Sequence, residues 1–209
     1  MKAISLWWAA VCVLAPALAL ADVDPRFAQL RDAAEPLGSL GTFLDKYVGE
    51  CSGLLAGDGC RENAAAFRKR YDGKKLYLII GEESATMVAP GPYQPGTGDY
   101  IIHVTPFFAG GNYALTHNAP RRTDANGNPV MPLLDVEGTI PEGWNASMFQ
   151  RLFSMRGVRA QVVFTPSGVW TLPKKGGGKI YGVAARIDGI LLTVGRTGES
   201  LGLWLPRKK

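Results

Sequence analysis

Cysteine and histidine are scarce in this 209-residue chain, which contains three and two of them. A zinc site takes three or four ligands, mostly of these two types, so no metal centre is expected. The sequence also contains no Gly-x-Ser-x-Gly motif, no Walker loop and no Gly-x-Gly-x-x-Gly motif. These absences argue against a serine-hydrolase elbow and against a nucleotide cofactor, and we expect no cofactor.

Long apolar runs are missing everywhere except at the beginning of the chain. Lys2 precedes the apolar stretch Ile4 to Leu20, and Ala19-Leu20-Ala21 is a small-x-small site followed by Asp22. This pattern predicts a signal peptide over residues 1–21 that is cleaved after Ala21. The mature chain is therefore expected in the periplasm or outside the cell. No later segment is long and apolar enough to predict a transmembrane span.

Two cysteines remain in the predicted mature chain, Cys51 and Cys60. In an exported protein, an even pair close in sequence predicts a structural disulfide. A redox-active pair would usually show the tighter Cys-x-x-Cys spacing, and a catalytic thiol would leave one cysteine over.

Residues 22–71 are predicted to form short helices packed on the rest of the same domain. Asp24-Pro25 predicts a helix start, because Asp caps the first turn and Pro suits the first helical position. Thr42 can cap a second helix, and Asp58 a third that ends near Tyr71. The disulfide would join the second helix to the third.

Residues 72–209 are predicted to be β-rich. A strand at 76–80 is expected to pair with 85–89, and a strand at 100–107 with 112–117 across Gly110-Gly111. Asn-Gly at 126–127 and Asp-Gly at 188–189 are hairpin-turn signals. One helix, capped by Asn145, interrupts the strands. The predicted fold is α+β: short N-terminal helices stapled by a disulfide, then an antiparallel β-barrel or sandwich with one inserted helix.

The charge of the chain is unevenly distributed along the sequence. Residues 151–209 hold 11 basic and 2 acidic side chains, a net charge of +9, and include Trp170, Tyr181 and Trp204. Such a segment would attract an anionic polysaccharide, lipid headgroups or an acidic envelope protein. Nucleic acid is the least expected partner of an exported chain. The candidate anion contacts are Lys174, Lys175, Lys179, Arg186 and Arg196, although acidic helices from the front could also cover these strands.

A second constellation consists of two histidines and two carboxylates. Asp135 and Glu137 alternate on one predicted strand, so they share a face about 7 Å apart. If strands 100–107 and 112–117 pair around the two glycines, His103 lies opposite Asn118, next to His117. These four residues could serve a hydrolase. The simpler interpretation is a solvated strand face with structural histidines.

Three functions are therefore compatible with the sequence. We expect first a non-catalytic binding or accessory domain, exported from a bacterium, that recognises an anionic envelope polymer through its basic C-terminal strands. The first alternative is an envelope-associated hydrolase that uses His103 or His117 with Asp135 or Glu137. The second is a structural subunit of an envelope complex that contacts its partner through exposed aromatics such as Phe107 and Phe108. The sequence leaves the oligomeric state open.

Overall fold

The computed structural model describes residues 23–49, 58–81, 88–94, 99–104, 106–108, 113–121, 124, 130–131, 133–173 and 177–207. The predicted signal peptide, Cys51, the Asn-Gly turn at 126–127, Lys174 and Lys175 lie outside these residues. The predicted disulfide therefore stays a prediction.

The described residues form an α+β fold with four helices and ten strands, and this confirms the predicted fold class. The helices are α1 (Pro25–Asp32), α2 (Leu40–Val48), α3 (Asp58–Tyr71) and α4 (Ala146–Ser154). The strands are β1 (Glu35–Pro36), β2 (Leu76–Ile80), β3 (Val88–Gln94), β4 (Asp99–Val104), β5 (Phe107–Phe108), β6 (Tyr113–His117), β7 (Leu134–Thr139), β8 (Val158–Pro173), β9 (Lys179–Val194) and β10 (Ser200–Trp204).

All ten strands belong to one sheet, with the order β1-β2-β8-β9-β10-β7-β4-β3 and with β5 and β6 attached beside β9. Most pairs are antiparallel, but β1 pairs with β2 and β6 pairs with β9 in parallel. The sheet is therefore mixed, and the expectation of a wholly antiparallel sheet was wrong. It is also open, because β1 and β3 at its two ends do not pair with each other. The closed-barrel alternative is thus excluded.

Local capping chemistry explains where the helices begin. Asp24 caps α1 and accepts the backbone N–H of Arg26, and Asn145 caps α4 and accepts that of Met148. Both caps match the sequence prediction. Helix α2 differs, because Ser39 rather than Thr42 is its cap: the Ser39 hydroxyl accepts the Thr42 N–H at 3.4 Å. The Thr42 N–H lies in the first turn of α2, where it has no partner within the helix. The Ser39 hydroxyl, three residues earlier, supplies that partner.

Helix α2 lays an apolar stripe into the main core. Phe43, Leu44, Tyr47 and Val48 are all buried, as their helical spacing predicts. They share one buried cluster with residues of β2, β4, β7, β8 and β9. Helix α1 packs on a separate cluster, in which Phe27 meets Val163 and Leu191.

Strands β8 and β9 form one long hairpin that continues through the turn predicted at 188–189. They pair from Val158↔Val194 to Pro173↔Lys179, with irregularities at 163–164 and 166–168. Asp188 and Gly189, predicted as a turn, lie inside β9. The Asp188 carboxylate accepts two hydrogen bonds, from Arg186 Nε at 2.8 Å and from the Thr165 hydroxyl at 2.7 Å. A bond from Arg186, two residues away, and one from Thr165 on the neighbouring strand thus replace the backbone bonds that favour Asp in a turn.

The predicted pairing of strand 100–107 with strand 112–117, which would place His103 opposite Asn118, is only partly correct. Strands β5 and β6 do form a hairpin, with Phe107↔Leu115, one residue from the predicted register. Strand β4 ends at Val104, however, and pairs with β3 and β7 instead of β6. His103 therefore lies opposite Asp135, and the predicted pairing with Asn118 was wrong.

Strand β3 likewise pairs with β4 rather than with β2. It lies at the edge of the sheet, where its prolines are tolerated.

Candidate functional site

Strands β7 and β10 pair at one position, Gly138↔Gly202, and then diverge. Only glycines allow this approach, because a Cβ on Gly202 would lie 2.7 Å from the Glu137 carbonyl oxygen. Beyond the glycine pair, a cavity of about 450 Å³ opens between the two strands. We call it the carboxylate cleft. Its lining consists of Asp135, Glu137, Leu203, Trp204, Leu205 and Arg207.

The two carboxylates reach this cleft because β7 alternates strictly. Leu134, Val136 and Gly138 are buried, whereas Asp135 and Glu137 are exposed. Successive side chains of a strand point to opposite faces, so the two acids share the outer face, as the sequence predicts. The cleft therefore combines two carboxylates with an indole and a guanidinium at its margin.

His103 adjoins the cleft through Asp135. Its Nδ1 lies 2.7 Å from Asp135 Oδ1, and the two side chains are 37% and 61% exposed. An ionised carboxylate only accepts, so Nδ1 carries the proton. The ring rests against Gly91 of β3, where a Cβ would lie 2.7 Å from His103 Nε2. The position of the imidazole thus depends on a glycine in a neighbouring strand.

His117 lies next to Trp204. It is the last residue of β6. Two strands pair with the same edge of β9: β6 pairs with Tyr181–Ala185, and β10 pairs with Ile190–Thr193. In the gap between them, Ile187 N–H donates to His117 Nδ1 at 3.3 Å. The His117 and Trp204 ring centroids are 6.0 Å apart. Among the described residues no hydrogen bond joins the two histidines, and each neighbours one residue of the cleft lining, Asp135 for His103 and Trp204 for His117.

Burial lowers the pKa of His117 below its ordinary value of 6.5. The folded state therefore binds fewer protons than the unfolded chain near pH 6, and the stability present above pH 6.5 declines as the pH falls. We expect the melting temperature to decrease between pH 7.5 and pH 5.5. His117→Gln should flatten this slope, since the Gln amide oxygen can still accept from Ile187.

His103→Gln is the matched control for this pH dependence, because these are the only two histidines in the chain. It separates the contribution of His117 from that of the other imidazole. An identical slope in wild type and His117→Gln would contradict the assignment to His117.

The predicted anion contacts do not gather in one place. Lys179 begins β9 opposite Pro173, and Arg196 follows the other end of β9. Arg186 lies between them and pairs with Asp188. Lys174 and Lys175 fall outside the described residues. The structure therefore does not bring Lys179, Arg186 and Arg196 together into one surface.

Sequence reasoning missed a second cavity, of about 620 Å³, beside the carboxylate cleft. We call it the arginine cavity. Its lining consists of Arg26, Gln29, Leu30, Asp188, Leu205, Pro206 and Arg207. Arg207 and Leu205 border both cavities. Arg207 is one of the basic residues of the C-terminal stretch. Its position three residues after Trp204 is the one sequence signal for a contact at this site.

The two aromatic residues suggested as partner contacts differ in burial. Phe107 is fully buried in the main core, whereas Phe108 is partly buried and packs against the cluster around Trp170. The structural-subunit hypothesis therefore loses Phe107 as a contact residue.

The fold and the cleft define an α+β protein with an open mixed sheet and a cavity of mixed charge where two strands diverge. The chain belongs to DUF6066, a family of unknown function, whose model matches residues 3–209. Neither the curated proteins nor the solved structures gave a match. Within the described ranges, no group of three or more histidine, cysteine or acidic side chains could hold a metal ion. No helix in that part of the chain has the length and apolar character that crossing a bilayer requires.

Proposed function

We propose that this protein is an exported, non-catalytic binding domain that recognises a polysaccharide of the bacterial envelope in the carboxylate cleft. Cleavage after Ala21 would release it into the periplasm or beyond. A Cys51–Cys60 disulfide would form there and fix the end of α2 to α3. In this proposal the open sheet folds over the core like a sandwich, and the cleft lies on its outer face.

The chemistry of the cleft supports a sugar ligand. Sugar hydroxyls donate hydrogen bonds, and Asp135 and Glu137 offer accepting oxygens side by side. Arg207 supplies donors, and the indole of Trp204 offers an apolar surface with a polar N–H. A few placed polar groups beside apolar walls are typical of ligand sites. The juxtaposition of these groups where β7 and β10 diverge is the observation that carries the proposal.

Co-sedimentation with an insoluble envelope glycan, such as peptidoglycan, tests the proposal. The mature protein should pellet with the polymer, and the double variant Asp135→Asn/Glu137→Gln should lower its affinity roughly tenfold, because two charge-assisted hydrogen bonds to the ligand weaken. The exposed Glu142, in a turn away from the cleft, provides the control variant Glu142→Gln, which should bind as wild type does.

Undiminished pelleting of the double variant would overturn the assignment to the cleft. A loss confined to Lys179→Gln or Arg196→Gln would instead assign binding to the basic strands predicted from the sequence.

The His103–Asp135 hydrogen bond favours a second candidate, a hydrolase of the same polymer. Asp135 would hold the imidazole so that Nε2 takes a proton from a water whose oxygen attacks the anomeric carbon. The imidazolium would then return that proton to the leaving oxygen as the glycosidic bond breaks. Such an enzyme would release soluble fragments from the pelleted polymer, and His103→Gln would stop the release while leaving the pelleting intact. Binding without any fragment release would exclude the hydrolase.

A further inference from the structure

The arginine cavity and the carboxylate cleft are contiguous, since Leu205 and Arg207 border both. Residues 203–207 run between them after β10 has separated from β7. A ligand seated in one cavity can therefore extend into the other past the Arg207 side chain. The two cavities differ in the sign of the charge that they present.

The charges of the arginine cavity are compensated unequally. Arg26 pairs with Asp24 at 2.8 Å, and its hydrogen bonds lower the pKa of Asp24 to about 2. Asp188 is buried, and Arg186 and Thr165 hold its carboxylate. Arg207 makes no ion pair with any residue of the described ranges. The uncompensated charge of this cavity is therefore the Arg207 guanidinium.

A guanidinium of this kind selects carboxylate or phosphate groups, because its planar fork of donors matches two acceptor oxygens. Gln29, on the same cavity wall, adds a neutral donor. In the neighbouring cleft Asp135 and Glu137 would repel an anion and accept bonds from hydroxyls. An anionic substituent is thus favoured on one side of Arg207 and a neutral sugar ring on the other.

From this arrangement we infer that the two cavities bind one acidic polysaccharide, with a neutral sugar in the carboxylate cleft and the anionic group of the adjoining unit on Arg207. This inference rests on the proposed function and specifies its ligand. It also retains the anionic polymer expected from the sequence, but replaces the predicted basic contacts with Arg207.

Two oligosaccharide probes of equal length test the inference by calorimetry. One contains only N-acetylglucosamine, and the other, a hyaluronan fragment, alternates N-acetylglucosamine with glucuronate. Wild type should bind the acidic probe about tenfold more tightly, as one charge-assisted contact predicts. Arg207→Gln should abolish this preference, because it should lower the affinity for the acidic probe about tenfold more than the affinity for the neutral probe. Arg151→Gln, an exposed change in α4, is the control and should alter neither affinity.

Failure of this inference can be distinguished from failure of the proposed function. Equal binding of both probes, unaffected by Arg207→Gln, would overturn the inference and leave glycan binding in the cleft intact. Binding of neither probe by a protein that pellets with envelope glycan would also overturn the inference alone. Binding of neither probe and no pelleting would overturn both.

Discussion

Gly182→Ala is expected to lower the free energy of unfolding by about 3 kcal/mol, at the upper end of the usual cost of overpacking a core. Gly182 lies in β9 between Trp170 of β8 and Ala114 of β6. A Cβ here would fall within the Trp170 ring and 2.5 Å from the Ala114 carbonyl oxygen. The added methyl group therefore has no free space on either side.

The indole cannot easily move aside, which is why the effect should be large. Trp170 is 7% exposed, and its Nε1 donates to the Thr116 hydroxyl at 2.9 Å. That hydroxyl in turn donates to the Asn118 carbonyl oxygen at 2.6 Å. Relieving the clash would break this buried chain or separate β6 from β9.

Thermal unfolding measures this effect, and we expect the melting temperature to fall by roughly 10 °C. The control is Gly81→Ala, because a Cβ on Gly81 meets no atom within 4 Å. Trp170→Leu should be much less damaging in the Gly182→Ala background than in wild type, because the smaller side chain makes room for the methyl group. Equal melting temperatures for Gly182→Ala and Gly81→Ala would contradict the packing described for β6, β8 and β9.

Arg186→Gln is expected to cost about 2 kcal/mol of stability, the range for hydrogen bonds to charged groups. Asp188 is 8% exposed, and Arg186 Nε is one of its two hydrogen-bond donors. Removing the guanidinium leaves a buried carboxylate for which Thr165 is the remaining donor among the described residues. A buried charge without its partner is costly because the protein solvates it poorly.

Chemical denaturation measures the free energy of unfolding of four proteins: wild type, Arg186→Gln, Asp188→Asn and the double variant. Together they give the coupling energy between Arg186 and Asp188. The double variant should recover part of the loss, since an amide at 188 carries no charge to compensate. Arg186→Gln should leave glycan pelleting unchanged once the protein is folded. Wild-type stability together with reduced pelleting would restore Arg186 as the anion contact that the sequence suggested.

Several features of the fold could be predicted because short stretches of sequence determine them. The caps Asp24 and Asn145 satisfy backbone N–H groups two or three residues away, so their chemistry is visible in the sequence. The spacing of Phe43, Leu44, Tyr47 and Val48 places them on one face of α2 wherever that helix packs. Alternation on β7 likewise places Asp135 and Glu137 together in any sheet.

The same local signals were misleading where other contacts, near or distant in sequence, compete with them. Asp-Gly at 188–189 is a turn signal, yet Thr165 and Arg186 bond the Asp188 carboxylate inside a strand. Ser39, rather than Thr42, caps α2, although both carry the same kind of hydroxyl. Propensity is a weak preference of about 1 kcal/mol, and a few side-chain hydrogen bonds outweigh it.

By itself, the sequence determined the α+β class, the caps of α1 and α4, the apolar face of α2 and the shared face of the two carboxylates. Tertiary structure alone decided which strands are neighbours, and therefore that His103 meets Asp135, 32 residues away, and that Arg207 adjoins both cavities. The physical reason is that periodicity fixes the direction in which a side chain points but carries no information about the strand beside it. Strand partners follow from the simultaneous burial of all the apolar faces in one core.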